Sequence, residues 1–235
     1  MKVLIIVPAY NEENAIVNVI NDIKINIPTA DIVVINDGSI DNTSEVAKKE
    51  NVIVLDLVNN LGIGGAVQTG FLFAQKYDYD IAVQVDGDGQ HPAEYIKQII
   101  EPIQKKEANV VIGSRFLVKD NDSFKSSFFR RIGIRIISFV LKIFTKMNIT
   151  DPTSGFRAFD KEAIRLNAEF YPDDYPEPEI IILFYKKQLK VNEVPIIMNS
   201  RQAGISSIGK FDSIYYMFKV IFAIILHSLE KRQNI

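Results

Sequence analysis

Short apolar runs alternate with amphipathic stretches throughout the first half of the chain. The apolar runs are rich in Ile and Val and predict strands at Val3–Val7, Ile32–Ile35, Val52–Leu57, Ile81–Val85 and Val110–Ile112. Helical periodicity predicts helices near Glu13–Asn26, Thr43–Glu50, Gly65–Tyr77 and Ala93–Lys106. Strands that alternate with helices at this spacing indicate an α/β protein with a mostly parallel sheet covered on both faces.

Composition excludes several classes of protein and of site. Of the 235 residues, 47% are apolar, which is too many for a disordered chain and enough to bury a sizeable core. The net charge of −2 gives no support to a nucleic-acid partner. Because the chain has no Cys and only two His, disulfides, thiolate metal sites and a His-rich zinc site are excluded.

The first strand also bears on the location of the protein. The run Val3–Val7 is short, lacks a small-residue cleavage site and leads into Pro8, so it favours a buried strand over a signal peptide. The chain contains no run of about 18 uncharged apolar residues that would predict a transmembrane helix. The expected compartment is therefore the cytoplasm.

Polar and glycine-rich segments follow the predicted strands. Parallel α/β sheets bind ligands where the carboxyl ends of their strands meet, so these segments are the first candidates for a site. They are Pro8–Glu13, Asn36–Asp41, Asn60–Gly65, Asp86–His91 and Gly113–Arg115. Carboxylates gathered at one edge of a sheet repel one another unless a cation or hydrogen-bond donors lie among them.

Asp86, Asp88 and Gln90 occupy alternate positions directly after a predicted buried strand. In an extended segment these three side chains face one point. Oxygen ligands of this kind suit Mg²⁺ or Mn²⁺, which keep open positions for phosphate oxygens. The alternative is a polar turn, because Asp and Gly are common turn residues. His91 is expected to support this loop or the next helix start, not to act as a base.

Two other strand-end segments leave two interpretations open. Asp37 either accepts hydrogen bonds from a ribose or base, or belongs to a turn that caps the next helix. The glycines at 62, 64 and 65 precede a predicted helix as in a phosphate loop, but they lack the dinucleotide spacing and the Lys of a P-loop. Gly64 is therefore either a nucleotide-binding position or a residue that permits close helix–sheet packing.

A basic amphipathic helix is predicted over about residues 126–147. Its cations, Arg131, Arg135, Lys142 and Lys146, recur along one face, beside an apolar stripe of Ile132, Ile136, Phe139 and Ile143 that Ile137, Val140, Leu141 and Phe144 widen. This pattern is typical of a helix at a membrane interface, and the alternative is a helix packed on the sheet. The apolar segment 211–229 is interpreted as a membrane contact, a dimer helix or the contact for a small membrane partner.

Taken together, the ordered motifs resemble those of family 2 glycosyltransferases of GT-A fold. The matching motifs are Pro8-Ala9-Tyr10-Asn11-Glu12, Asp37-Gly38-Ser39, Asp86-Gly87-Asp88-Gly89-Gln90-His91-Pro92, Gly113-Ser114-Arg115 and Thr153-Ser154-Gly155-Phe156-Arg157. Within the family, the chain is most similar to dolichyl-phosphate mannose synthases and their bacterial polyprenyl-phosphate relatives. The resemblance implies a Rossmann-like catalytic domain over residues 1–210, followed by a tail over residues 211–235.

The resemblance also implies an activity. It is the metal-dependent, inverting transfer of a hexose from a UDP- or GDP-sugar to a polyprenyl phosphate, by a peripheral protein on the cytoplasmic face of an anionic membrane. The implied nucleotide pocket comprises Pro8, Tyr10, Glu12, Asp37 and Asp86. The implied metal ligands are Asp86, Asp88 and Gln90. The implied acceptor contacts are Arg115 and Arg131, with Arg201 closing over the site; with Asp88, these arginines form the expected catalytic set.

Two other functions stay open at this point. One is extension of a cell-surface glycan on a sugar hydroxyl, which needs a general base such as a carboxylate in Pro176-Glu177-Pro178-Glu179. A lipid phosphate needs no base, because it is largely dianionic at neutral pH, and it calls instead for arginines. The other is a non-catalytic nucleotide-sugar-binding protein, which would have no use for acceptor arginines.

Overall fold

The structure is a computed structural model that describes residues 1–118, 128–173, 176–199 and 212–229. Its strands are β1 (Val3–Ala9), β2 (Asp31–Asn36), β3 (Ile53–Asp56), β4 (Ile81–Gln84), β5 (Val110–Ser114), β6 (Arg157–Asp160) and β7 (Val191–Pro195). Its helices are α1 (Ile16–Asn26), α2 (Thr43–Lys49), α3 (Gly62–Lys76), α4 (Ile96–Gln104), α5 (Phe128–Thr145), α6 (Lys161–Glu169), α7 (Pro176–Lys186) and α8 (Asp212–Leu229). A 3₁₀ turn over Ala93–Tyr95 precedes α4.

The strands form one sheet in the order β3-β2-β1-β4-β6-β5-β7. Strand β6 is antiparallel to both of its neighbours, and the other paired strands are parallel. The predicted mostly parallel α/β sheet is therefore confirmed. Because β6 runs against β4, Arg157 at its start pairs with Gln84 at the end of β4. The loop before β6 consequently reaches the edge of the sheet where the parallel strands end.

Both faces of the sheet are buried. In β1, Leu4 and Ile6 belong to one apolar cluster, together with residues of α3, α6 and α7. Ile5 and Val7 belong to a second cluster, together with residues of α1 and α4. Because both sides of this strand are buried, its sequence is a continuous apolar run and does not alternate between apolar and polar residues. The polar side chains available to a ligand therefore lie at the ends of the strands.

Helix α5 confirms the predicted basic amphipathic helix. Arg131 and Arg135 are exposed, and so are the apolar side chains of Phe139 and Ile143, at 64% and 59%. Ile137, which was expected to widen the exposed stripe, is instead fully buried in the core. The helix is thus held to the sheet by one apolar face while it presents a second apolar face, next to its cations, to the surroundings.

Helix α8 packs against α5 and α7. Its residues Val220 and Ile224 are buried in the same cluster as the sheet, whereas Phe222 and Leu226 are exposed. Within the described ranges, no helix is both long enough and apolar enough to cross a bilayer. The division of the chain at residue 210 stays a prediction.

Candidate active site

The loops that follow β1 and β2 are tied to each other. The Asn11 backbone N–H donates to Ser39 Oγ at 2.9 Å, and the Ile40 N–H donates to Asn11 Oδ1 at 2.9 Å. The Glu12 N–H donates to Thr43 Oγ1 at 2.8 Å, which buries Glu12 against the start of α2. Pro8 is buried in β1, whereas Tyr10 is 48% exposed. The loops thus form a single rigid wall from which an aromatic ring projects.

Asp37 fixes the start of α3 to this wall. It is 3% exposed, and its Oδ1 accepts a hydrogen bond of 2.7 Å from the Leu61 N–H. The next residue, Gly38, has φ +69°, and a Cβ there would lie 2.9 Å from the Asn60 nitrogen. Only glycine fits this approach without strain. One oxygen of Asp37 therefore stabilises the fold, as the turn interpretation expects for this carboxylate.

Gly64 has a packing role. A Cβ at this position would lie 2.2 Å and 2.3 Å from the carbonyl oxygens of Pro172 and Asp173, and the Gly64 N–H donates to Asp173 O at 3.2 Å. These contacts explain why a glycine is required at position 64. The hydrogen bond to Asp173 also occupies the N–H that a bound phosphate would need. The contacts favour the packing interpretation of Gly64, and its place in the nucleotide pocket stays a prediction.

Asp86 and Asp88 lie in a turn, not in an extended segment. Gly89 has φ +78°, and Asp88 Oδ1 accepts the Gln90 N–H at 3.0 Å. The Gly87 N–H donates to Pro8 O at 3.2 Å, so the turn lies directly against the end of β1. The extended conformation expected for this segment is therefore wrong, whereas the assignment of Asp86, Asp88 and Gln90 as metal ligands stays a prediction. Both carboxylates nevertheless stay at the predicted edge, next to the loops of β1 and β2.

Gln84 and Gly155 lie next to the carboxylate of Asp86. Gln84 is buried, and its Nε2 lies 3.3 Å from Asp86 Oδ1. A Cβ at Gly155 would lie 3.0 Å from this amide nitrogen and 3.5 Å from Asp86 Oδ2. A side chain at position 155 would therefore press on the carboxylate. The loop before β6 thus contributes to the site by leaving room for Asp86.

Arg115 is part of a buried ion pair. Its Nε and Nη2 each lie 2.6 Å from a different oxygen of Asp151, and its N–H donates to Asp151 Oδ2 at 3.1 Å. Nη2 also donates to Thr153 Oγ1 at 2.9 Å. This bidentate pair joins the end of β5 to the loop before β6. A role in acceptor binding stays a prediction for Arg115, and it would require the guanidinium to share or exchange Asp151.

The other residues expected in the site are distributed unequally. Arg131 lies exposed near the start of α5. Gln90 follows the carboxylate turn, and its carbonyl accepts the Asn199 N–H at 3.0 Å. Arg201 falls outside the described residues. The structure therefore brings together the ends of β1, β2 and β4 and the loop before β6, while the contribution of Arg131 and Arg201 stays predicted.

A buried polar group beside the site was not anticipated. Arg157 is fully buried, and its Nε and Nη2 each donate at 2.7 Å to a backbone carbonyl, those of Ser154 and Pro152. Within the part of the chain that the structure describes, its Nη1 and the buried hydroxyl of Tyr171 have no hydrogen-bond partner. Burial lowers the pKa of Arg157 and raises that of Tyr171. The signal available in the sequence was the place of Arg157 at the end of the Thr153-Ser154-Gly155-Phe156-Arg157 motif.

Glu177 lies in the first turn of α7, near this group. Desolvation raises the pKa of its carboxyl, and the positive charge of Arg157 opposes that effect. The charge of Asp86 raises the pKa further, which places Glu177 within electrostatic reach of the carboxylate turn. A carboxyl whose pKa is raised toward neutrality is suited to proton transfer. The segment proposed from the sequence as the position of a base therefore carries a carboxyl whose pKa responds to the charges of both Arg157 and Asp86.

The donor set fits a divalent metal that is shared with a substrate. Asp86, about one-third exposed, and Asp88 supply hard carboxylate oxygens. Among the described residues, no group of three or more acidic or histidine side chains is placed to hold an ion. Mg²⁺ is commonly bound by one or two carboxylates together with the phosphates of a substrate. The site therefore suits an ion that arrives with a nucleoside diphosphate.

Comparisons with known proteins define the class. The family model described as "Glycosyl transferase family 2" matches residues 4–166. A solved structure of glucosyl-3-phosphoglycerate synthase from Mycobacterium tuberculosis, in complex with Mn²⁺, UDP and phosphoglyceric acid, is similar with a TM-score of 0.73 at 18% identity, over 97% of this chain and 78% of that chain. This likeness shows the fold, which is the expected GT-A fold.

Two relatives are similar over most of their length. The UDP-N-acetylglucosamine–dolichyl-phosphate N-acetylglucosaminyltransferase of Methanococcus voltae is 34% identical over 214 residues, covering 83% of this chain and 84% of that protein. The undecaprenyl-phosphate mannosyltransferase of Micrococcus luteus is 28% identical over 217 residues, covering 89% and 88%. The chain belongs to glycosyl transferase family 2, and it is a glycosyltransferase.

Proposed function

We propose that the protein transfers a hexose from a nucleoside-diphosphate sugar to a polyprenyl phosphate, with inversion at the anomeric carbon and with the help of Mg²⁺ or Mn²⁺. The two relatives described above are named for dolichyl- and undecaprenyl-phosphate acceptors, which supports this acceptor class. The observation that carries the proposal is the turn with Asp86 and Asp88, which is hydrogen-bonded to the end of β1 at Pro8, next to the point where the Asp37 N–H bonds to Ala9.

The carboxylate turn accounts for donor activation. When bound, a divalent ion would neutralise charge that develops on the leaving nucleoside diphosphate, more strongly in the transition state than in the ground state. Asp86 and Asp88 would hold that ion, and the wall formed by the loops of β1 and β2 would hold the nucleoside. Loss of a stabilisation of about 3–4 kcal/mol slows a reaction roughly 10²–10³-fold, so loss of either carboxylate is expected to be severe.

The acceptor is its own nucleophile. A phosphate monoester has a second pKa near 6, so a phosphate oxygen can attack the anomeric carbon without a base. The bond from that carbon to the β-phosphate oxygen breaks, and the nucleoside diphosphate leaves with the electron pair. Arginines suit the acceptor phosphate because a guanidinium can bind it through two parallel hydrogen bonds. We assign this role to Arg131 and Arg201, with Arg115 as a third candidate.

Helix α5 supplies a surface for the membrane that carries such an acceptor. Its exposed cations lie beside the exposed Phe139 and Ile143. Each Lys or Arg near an anionic leaflet contributes about 1 kcal/mol of attraction, and the apolar side chains add burial in the interface. We therefore propose peripheral binding to the cytoplasmic face of a membrane. Helix α8, with Phe222 exposed next to α5, extends this surface.

A sugar hydroxyl as the acceptor is the second candidate. Glu177 favours it, because burial raises the pKa of this carboxyl and the charge of Asp86 raises it further. A hydroxyl nucleophile would require Glu177 for turnover but not for donor binding. Glu177→Gln separates the two reactions, since transfer to a lipid phosphate is expected to tolerate this change while transfer to a hydroxyl is not.

The test is incubation of the full chain with a panel of UDP- and GDP-sugars, Mn²⁺ and undecaprenyl phosphate, followed by mass detection of the lipid product. We expect one or a few donors to yield a lipid-linked hexose, and chelation of the metal or Asp88→Ala to abolish the product. Asp80→Ala, at a half-buried position just before β4 and at the other end of that strand from Asp86, is the matched carboxylate control. Release of free sugar with no lipid product from any donor would contradict the proposed acceptor.

A further inference from the structure

His91 closes the carboxylate turn onto Asp86. The Asp86 backbone N–H donates to His91 Nδ1 at 3.0 Å. The other ring nitrogen, Nε2, lies 3.6 Å from Asp86 Oδ2. A single imidazole therefore contacts both the backbone and the carboxylate of the same residue, five positions earlier in the chain.

The hydrogen bond fixes the tautomer of the ring. A nitrogen that accepts a hydrogen bond carries a lone pair, so Nδ1 is unprotonated and the ring proton lies on Nε2. That N–H is on the side of Asp86 Oδ2. The backbone hydrogen bond thus fixes the ring, and at 3.6 Å the polar contact between Nε2 and the carboxylate is longer than a hydrogen bond.

The ring is also held in place by its surroundings. The His91 side chain is 2% exposed, and it stacks on Phe156 with 4.9 Å between ring centroids and 11° between planes. Pro92 follows directly and starts the 3₁₀ turn before α4. Gln84 lies on the other oxygen of Asp86, at 3.3 Å. Each oxygen of this carboxylate therefore has a buried polar side chain beside it, Gln84 within hydrogen-bond distance and His91 at 3.6 Å.

We infer that His91 is a positioning residue that sets the backbone and carboxylate of Asp86 for metal capture. The inference rests on the proposed function, because it takes Asp86 to be a metal ligand. Groups that orient a ligating side chain through hydrogen bonds typically change metal affinity or activity by about 10–100-fold when they are lost. His91 does not touch the substrate in this account, and it acts through Asp86.

Three substitutions separate the contacts of the ring. His91→Phe keeps the ring and its stacking on Phe156 but has neither nitrogen. His91→Asn places an oxygen where Nδ1 lies and so keeps an acceptor for the Asp86 N–H. His91→Gln reaches the position of Nε2 but leaves the Asp86 N–H without its acceptor. The order of Mn²⁺ affinities among the three variants therefore shows which contact of His91 matters: the stacking, the backbone hydrogen bond or the contact with the carboxylate.

The measurement is a titration of the full chain with Mn²⁺, in which electron paramagnetic resonance reports the concentration of the free ion. One set of titrations contains saturating UDP, and a parallel set contains saturating GDP. We expect His91→Phe to weaken Mn²⁺ binding by roughly 10–100-fold, and His91→Asn to bind more tightly than His91→Gln. In turnover, the apparent KM for the metal is expected to rise more than kcat falls. A purely structural role would instead lower the active fraction and leave the Mn²⁺ affinity of the folded protein unchanged.

Folding of each variant is checked by circular dichroism and thermal melting. A folded His91→Phe with the wild-type affinity for Mn²⁺ would overturn the inference. If His91→Phe does not fold, an equal or reversed order of His91→Asn and His91→Gln would overturn it. Asp86→Asn separates this failure from that of the proposed function: if Asp86→Asn also binds Mn²⁺ normally, the metal site itself is misassigned.

Discussion

Removal of the Asp151 carboxylate tests the buried ion pair that supports the site. Asp151 is fully buried, and both of its oxygens lie 2.6 Å from nitrogens of Arg115. Loss of one partner from a buried pair costs about 3–5 kcal/mol. A chain of this length loses roughly 2–4 °C of Tm per kcal/mol, so Asp151→Ala is expected to lower Tm by roughly 6–20 °C.

The assay is thermal and urea unfolding of the wild type, Asp151→Ala and the double variant Arg115→Met/Asp151→Leu. The double variant is expected to recover much of the loss, because an apolar pair needs no counter-charge. Glu101→Ala is the matched control, since it removes an exposed i,i+4 partner of Lys105; it is expected to leave the midpoint nearly unchanged. A wild-type Tm for Asp151→Ala, or a double variant less stable than the single one, would refute the reasoning.

Three further outcomes are expected. Gly64→Ala is expected to lower the free energy of unfolding by about 1–3 kcal/mol in urea titrations, because its Cβ would lie 2.2–2.3 Å from two backbone oxygens; an unchanged value would refute the packing role. The hydrogen bond from Lys48 lowers the pKa of Asp56 from 3.8 to about 2, so it stabilises the fold above pH 4 and this contribution is lost as the pH falls to 2. Asp56→Asn should therefore be less stable than the wild type at pH 7, with a difference that shrinks toward pH 2; a constant difference would argue against the ionised pair. Phe139→Ser is expected to weaken flotation with anionic vesicles, and added salt should weaken flotation of the wild type. Ile25→Ser, at an exposed position of α1, should have no effect; equal loss in both variants would contradict the α5 surface.

The sheet was predictable where burial is two-sided. Leu4 to Val7 are buried on alternate faces, so the sequence carries an unbroken apolar run that indicates a parallel strand. Strand β6 was not predicted, because it has only four residues and begins and ends with charged side chains, Arg157 and Asp160. Its place in the sheet depends on pairing with β4 and β5, which local pattern does not encode.

The site was predictable in its location but not in its conformation. Strand ends converge in any sheet of this kind, so the sequence was enough to bring Asp37, Asp86 and Asp88 to one edge. The turn at Asp86–Gly89 depends on hydrogen bonds from the backbone to Asp88 and His91, which a pattern of residue types does not specify.

Contacts between residues far apart in the sequence could not be predicted either. Arg115 and Asp151 are 36 positions apart, and the sequence offers several other partners for each. Gly64 matched the composition of a phosphate loop, yet the carbonyl of Asp173, more than a hundred positions later, takes its N–H. These contacts decide whether a glycine or an arginine serves the ligand or the fold, and only the tertiary structure reveals them.

The most direct measurement is an anomalous difference map from crystals of the protein soaked with Mn²⁺ and the nucleoside diphosphate of its preferred donor. We expect one manganese peak beside the carboxylates of Asp86 and Asp88, together with the bound diphosphate. Nucleotide bound at the ends of β1 and β2 with no manganese beside either carboxylate would contradict it.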